Sequence, residues 1–313
     1  MPVKVTILGA ASAKPTADRH PSAQIVNVNE QYYLVDAGEG VQQQMFRRGF
    51  NPLKLRGVFI SHLHGDHVYG LFPLISTLGL YGRQTPLEVF APQPFGEILD
   101  CHLRYFDSHL PYEVKWTEVP TTEHRLIFEN RTLEVWSIPL RHSLAASGYL
   151  FREKPPQLNV DKFKIERYGL SIAQIVAAVT LDDVTRIENS DLTYLPYLPA
   201  SYAYCSDTNY SARIARTIHG VDLLYHEATY ADSERAVAKE RGHSTAAQAA
   251  RTARDAEAGE LLIGHFSSRY KDTSILLEEA RAIFPSTQIA EEGRTFEAVG
   301  RGLFTGDADE SAE

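Results

Sequence analysis

The most constraining stretch of this 313-residue chain is Ser61-His62-Leu63-His64-Gly65-Asp66-His67. Four side chains able to ligate a metal fall within six residues. Upstream, Leu55-Arg56-Gly57-Val58-Phe59-Ile60 reads as a short buried strand, mostly apolar with β-branched and aromatic members. Downstream, the apolar run from Val68 to Ile75 suits a helix. The donors therefore occupy the turn at a strand's end, where α/β sheets usually place their chemistry. Histidines two positions apart in an extended loop point the same way, so His62 and His64 can share one metal. Gly65 lets the backbone turn before Asp66 and His67, which can face a second. Imidazole with carboxylate is a donor set suited to zinc. The bland alternative, a surface loop rich in His, does not explain why the whole pattern follows an apolar strand.

Other strand ends carry donors too. Strands are expected over Val3–Leu8, Ser22–Asn27, Gln31–Asp36, Leu87–Phe90, Val114–Trp116, Leu126–Phe128, Thr132–Trp136, Gly148–Glu153 and Gln288–Ala290, the last closing the fold. Helices are expected over Val41–Gly49, Leu71–Leu80, Pro94–Leu103, Ala246–Ala256 and Ile275–Phe284, with Ser244 or Thr245 as a cap. His142 follows the run Val135–Leu140, and Asp207 ends Ser201–Thr208. His226 and Glu227 fall late in Val221–Tyr230, and His265 lies in Leu261–Tyr270. Weak singly, these residues converge on one edge of a sheet. Asp36 closes its own strand and either orients a ligand or water, or caps a turn. The loop Ala10–Pro21, with Lys14, Arg19 and His20, is either a solvated turn or a substrate contact. Residues 154 to 200 differ in character and read as an insertion whose ends, Phe151 and Ser201, return together.

The length allows one large or two modest domains with ample core. A net charge of −9 argues against nucleic-acid binding by the bulk surface, though not against a local basic path. Two cysteines give no disulfide framework and fit a reducing, cytosolic setting. The N-terminus does not look like a signal peptide, and no run reaches membrane-spanning length.

Ser61–His67 resembles the signature of the metallo-β-lactamase superfamily, and His142, Asp207 and His265 fall where that superfamily supplies its later ligands. Three stretches narrow the resemblance to ribonuclease Z, the tRNA 3′-processing endonucleases: His226-Glu227-Ala228-Thr229, Gly242-His243-Ser244-Thr245 and His265-Phe266-Ser267-Ser268-Arg269-Tyr270. Asp36–Gly40, Tyr204–Thr208 and the Lys14–Ser22 loop are similar to that family as well. Only the arm and the tail fall outside the resemblance.

The resemblance implies an α/β fold, the four-layer αβ/βα sandwich, as one domain over residues 1–305. Residues 154–200 would be an inserted arm at the tRNA-binding exosite position, and 306–313 a disordered acidic tail. It implies two Zn2+ per subunit: His62, His64 and His142 at one, Asp66, His67 and His265 at the other, with Asp207 bridging. Asp66 would accept a proton, and His243 held by Glu227 would protonate the leaving 3′ oxygen. Ser268 and Arg269 would contact the phosphodiester. The substrate would be precursor tRNA, and the products a 3′-hydroxyl on the tRNA and a 5′-phosphate on the trailer. The enzyme would be a cytoplasmic homodimer with no membrane association. The arm departs from the family pattern. It has no Gly-Pro pair, Gly169-Leu170-Ser171 sits where one is expected, and Ile175–Leu198 holds one Arg and no Lys. That departure motivates a second reading, a phosphodiesterase acting on another phosphodiester. A third, an inactive RNA-binding subunit, is opposed by the intact Asp66, His243 and Glu227.

Overall fold

A computed structural model describes residues 3–14, 16–169, 171, 172, 175 and 192–302. In chain order its strands are β1 (Val3–Gly9), β2 (Ala23–Val28), β3 (Gln31–Ala37), β4 (Leu55–Phe59), β5 (Leu87–Ala91), β6 (Val114–Glu118), β7 (Leu126–Glu129), β8 (Leu133–Pro139), β9 (Ser147–Glu153), β10 (Asn159–Val160), β11 (Thr193–Tyr194), β12 (Ser201–Cys205), β13 (Leu223–Glu227), β14 (Glu260–Gly264), β15 (Thr287–Ile289) and β16 (Thr295–Ala298). Among the described residues they form two seven-stranded sheets, ordered β16-β1-β2-β3-β4-β5-β6 and β15-β14-β13-β12-β9-β8-β7, and a small β10–β11 ribbon.

Both sheets follow one plan. The first pairs antiparallel from β16 to β3, then parallel from β3 to β6. The second pairs antiparallel from β7 to β12, then parallel from β12 to β15. Parallel strands need covering on both faces. The central β13, LLYHE, is buried at every position, as are the last three residues of β4.

The sheets pack face to face through an aromatic layer. Phe59 stacks on Phe90 of its own sheet at 4.6 Å and meets Tyr149 and Phe151 of the other edge-on, each at 5.3 Å. The helices Val41–Arg47, Leu71–Leu80 and Phe95–Tyr105 cover the outer face of the first sheet with Met45, Leu74, Ile75, Leu78 and Leu99. The second sheet is covered by Ala212–Thr217, Ala246–Asp255 and Ser274–Arg281. In the Ala246–Asp255 helix, buried Ala246, Ala249, Ala250 and Ala253 let the backbone lie close to the sheet. Thr245 caps it as expected: its hydroxyl accepts from the Gln248 amide at 3.3 Å while Gln248 reaches back to the Thr245 amide at 3.0 Å. Such a reciprocal cap contributes about 1 kcal/mol. The four layers are those of the αβ/βα sandwich.

Three expectations change. The donors converge on the seam between two sheets, not on one edge of a single sheet. Gln288–Ala290 does not close the fold, because β16 crosses back to pair with β1, Val3 opposite Ala298. The helix from Val41 ends at Arg47, and Gly49 takes φ 71°, a left-handed turn open to glycine. The insertion leaves β9 and returns on β12, with Phe151 opposite Tyr202 and the Glu153 amide on the Ala200 carbonyl at 2.9 Å. Its described part holds the β10–β11 ribbon and a helix, Lys162–Tyr168, capped by Asp161. Residues 176–191 of the arm and the tail 306–313 lie outside the described residues.

Candidate metal centre

Seven donors from both sheets meet at the seam. The loop after β4 brings His62, His64, Asp66 and His67, and β8, β12 and β14 end close to His142, Asp207 and His265. They fall into two groups whose ligand atoms lie within 4.8 Å of one another, His62, His64, His142 and Asp207, and Asp66, His67 and His265; a third set on the same terms joins Asp207 and His265 to His243. In the first, His62 Nε2 is 3.0 Å from His64 Nδ1, and His142 Nε2 is 3.3 Å from it. Asp207, of the first group, also faces the second. Its Oδ2 faces His62 Nε2 at 3.6 Å and His142 Nε2 at 3.8 Å. Its Oδ1 faces His265 Nε2 at 3.1 Å and His67 Nε2 at 3.5 Å. Asp66 Oδ2 lies 3.3 Å from His67 Nε2 and 3.6 Å from His265 Nε2.

The arrangement fits cations. Among the described residues, the Nε2 atoms of His67 and His265 are buried without a hydrogen-bond partner. A buried nitrogen lone pair without a partner is costly, and a metal satisfies it. The other ring nitrogens are held from behind, which fixes each ring's orientation and tautomer. His67 Nδ1 donates to Asp36 Oδ2 at 2.7 Å, and His142 Nδ1 to the Gly242 carbonyl at 2.9 Å. His265 Nδ1 donates to Thr229 Oγ1 at 2.8 Å, and His62 Nδ1 to Ser61 Oγ at 3.0 Å. Asp36 and His265 both adopt positive φ, 54° and 59°. A non-glycine residue there is strained and is held by its surroundings.

Burial would lower His67, but Asp207, Asp36 and Asp66 hold its imidazole well above the ordinary value, so a cation there takes the place of a proton; the other groups are ready for a metal. Burial would raise the Asp66 and Asp207 carboxyls, but the histidines around them, His67 and His265 foremost, hold both well below the usual carboxylate range. Burial pushes His62 well below its ordinary value, and the neighbouring imidazoles add to that, so it offers a neutral nitrogen.

Beside the two groups sits His243. Its Nδ1 donates to Glu227 Oε1 at 3.1 Å and lies 3.9 Å from Asp207 Oδ2. Its ring stands 5.2 Å from His142 and 5.3 Å from His265. Burial would lower it, but the Glu227 charge and hydrogen bond prevail and push it up to about 9. Glu227 is fully buried and saturated, accepting from the Thr208, Thr229 and Ser244 amides and the Thr229 hydroxyl as well. It is therefore placed to hold His243 charged.

The structure brings together all seven expected ligands with His243 and Glu227, and sets the Asp36 carboxylate against the His67 ring. Other candidates make contacts of their own. Ser268 is exposed, and the Arg269 guanidinium pairs with Glu234 and lies over Tyr230 at 5.0 Å, turned to a carboxylate of its own chain. Arg19 donates to the Tyr270 and Lys271 carbonyls at 2.9 and 3.1 Å, and His20 pairs with Glu292 at 2.8 Å. Both anchor the Ala10–Pro21 loop, and Lys14 is exposed. Ser61, Tyr204, Ser206 and Thr229 were given no role by the sequence, although each lies in one of its motif stretches.

The chain is 44% identical over 293 residues to ribonuclease Z of Porphyromonas gingivalis strain W83, covering 92% of this chain and 96% of that one. A family model described as anti-Pycsar protein Apyc1 matches residues 3–108. The structure superposes on human tRNase Z, short form, with a TM-score of 0.70 at 23% identity, covering 94% of this chain and 99% of that one. It superposes on the metallo-β-lactamase fold protein YhfI of Bacillus subtilis with a TM-score of 0.69 at 20% identity, covering 95% and 100%. Two stacked sheets with His and Asp donors on their seam define the metallo-β-lactamase fold, and the ribonuclease Z relatives make the chain a metal-dependent hydrolase. Within that class, the chain belongs to the ribonuclease Z family.

Proposed function

We propose that this chain is the endoribonuclease that removes the 3′ trailer from precursor tRNA, using two zinc ions per subunit. The chemistry rests on one observation: Asp207 faces one histidine group with each of its two oxygens. The substrate rests on identity to a ribonuclease Z over almost the whole chain. His62, His64 and His142 would hold one ion, Asp66, His67 and His265 the other, and Asp207 both. When bound, the ions supply Lewis acidity toward water and the phosphoryl oxygens. Asp66 accepts the proton of the attacking water. His243, charged through Glu227, gives a proton to the departing 3′ oxygen. The products are a 3′-hydroxyl on the tRNA and a 5′-phosphate on the trailer. Residues 1–305 act as one domain, with 154–200 as the tRNA-facing arm of a cytoplasmic homodimer. Ser268 is free to approach the phosphodiester; Arg269 does so only by leaving Glu234.

A second reading, hydrolysis of another phosphodiester, draws on the arm without a Gly-Pro pair. One experiment separates them. A 3′-extended precursor tRNA and bis(p-nitrophenyl) phosphate are offered to the wild type, Asp66→Ala and His243→Ala, with metal content measured in parallel. A single cut after the discriminator base, lost in both variants while His243→Ala keeps its metal, is the expected result. Turnover of the small diester with the precursor left intact overturns the tRNA reading.

A further inference from the structure

The two metal positions are joined behind the ligands as well as in front. In front they share Asp207. Behind them lies a buried chain of polar atoms that starts on one group's histidine and ends on the other's. His62 Nδ1 is 3.0 Å from Ser61 Oγ, and Ser61 Oγ is 2.9 Å from Asp36 Oδ2. The same carboxylate oxygen is 2.7 Å from His67 Nδ1. Ser61, Asp36, His62 and His67 are all fully buried, so water does not substitute for any member. A hydroxyl has one hydrogen. Ser61 Oγ has three possible acceptors, Asp36 at 2.9 Å, His62 Nδ1 at 3.0 Å and Ser206 Oγ at 3.2 Å. The carboxylate is nearest and charged, and takes the proton. Ser61 Oγ is then left to accept from His62 Nδ1. That leaves Nε2 of His62 as the nitrogen facing Asp207 and its group.

Asp36 is pinned in turn. It also accepts from the Ser61 amide at 2.7 Å and from the Tyr204 hydroxyl at 2.7 Å. The second sheet repeats the device with different connections. Thr229 Oγ1 donates to Glu227 Oε2 at 2.7 Å and accepts from His265 Nδ1 at 2.8 Å. There the relay joins a single metal position to His243. Among the described residues, only the Ser61 relay touches both positions.

We propose that Ser61 is a positioning residue whose hydroxyl couples the two metal positions, by fixing the His62 tautomer and orienting the Asp36 carboxylate that holds His67. This rests on the two-metal reading above. Removing the hydroxyl leaves the His62 Nδ1–H without an acceptor and takes one of four donors from Asp36. Both positions then weaken, although Ser61 touches no metal.

The test is zinc titration of the metal-free protein, with histidine nitrogen NMR assigning each step. Ser61→Ala is expected to weaken both positions by about 10- to 100-fold, the usual effect of losing a ligand's outer partner. Thr229→Val is expected to weaken only the position that holds His265. Ser61→Ala with both affinities within about twofold of wild type, or with one position weakened alone, overturns the coupling. Should Ser61→Ala not fold, the zinc-loaded wild type decides. Hydrogen-bonded Nδ1–H signals are expected on both His62 and His67, and a His62 protonated on Nε2 overturns the proposal. A wild type that binds fewer than two metals instead removes the reading on which it rests.

Discussion

The two halves of the molecule share one plan and supply the metal centre in opposite ways. Each sheet runs three antiparallel pairings and then three parallel ones. The first delivers His62, His64, Asp66 and His67 on one loop after β4. The second delivers His142, Asp207 and His265 from three strand ends far apart in the chain. In the loop, the donors are fixed to one another by a few covalent bonds. In the second sheet they are fixed by register, with Tyr204 opposite Tyr225 and Tyr225 opposite Leu262. Metal geometry is thus a local property in one half and a property of strand pairing in the other. Loss of one loop donor should stay with one metal position, whereas loss of Asp207, which faces both histidine groups, should reach both.

Asp207 is the sharpest place to break that contrast. It is one residue of the second sheet that serves both groups, so Asp207→Ala should release both metals and abolish precursor cleavage. His64→Ala, in the loop, should release one. Metal analysis of the two purified proteins checks this, and retention of a full metal complement by Asp207→Ala would remove the bridging role.

Next in size is His243, which should affect rate without affecting metal. His243→Ala should lower kcat by about 10²- to 10⁴-fold, the usual worth of a general acid. Its acid form exists below its pKa of about 9 and disappears as pH rises through that value. Bound cations oppose a nearby positive charge, so the alkaline fall in kcat/KM should lie at or below pH 9. A residual activity of His243→Ala with the same alkaline fall would assign the proton to another group.

The smallest effect is expected at Arg269, beside a second-sheet ligand yet outside the register that places it. Its pair with Glu234 is partly exposed, at 38% and 33%, and such pairs contribute less than about 1 kcal/mol. Arg269→Ala should leave Tm nearly unchanged. If precursor binding also stays unchanged, Arg269 has no place at the phosphodiester.

The same contrast explains what the sequence revealed. The loop was legible from spacing alone, since its donors are neighbours in the chain and need only a strand before them. Most strands and the longer helices were legible from periodicity, and Leu71–Leu80 was bounded correctly. His142, Asp207 and His265 were weak singly and gained meaning through a family resemblance, because register is not written in local pattern. The supporting hydroxyls of Ser61 and Thr229 and the Gly242 carbonyl escaped notice for a related reason. Serine, threonine and glycine occur everywhere, and what distinguishes these is the atom that folding places opposite them. β16 was missed because its partner, β1, lies at the other end of the chain. Ala212–Thr217 and Arg235–Glu240 are too short to show a helical period.

On the two-metal reading, the seam would also make each cation a clasp. Each position would draw two donors from the loop and two from the second sheet, counting Asp207 at both. Prying the sheets apart therefore means letting the metals go. A ligand present at 100 times its dissociation constant adds about 2.7 kcal/mol to folding. The melting temperature of this protein should then climb with free zinc and fall with chelator, which makes heat resistance a gauge of how fully the catalyst is loaded.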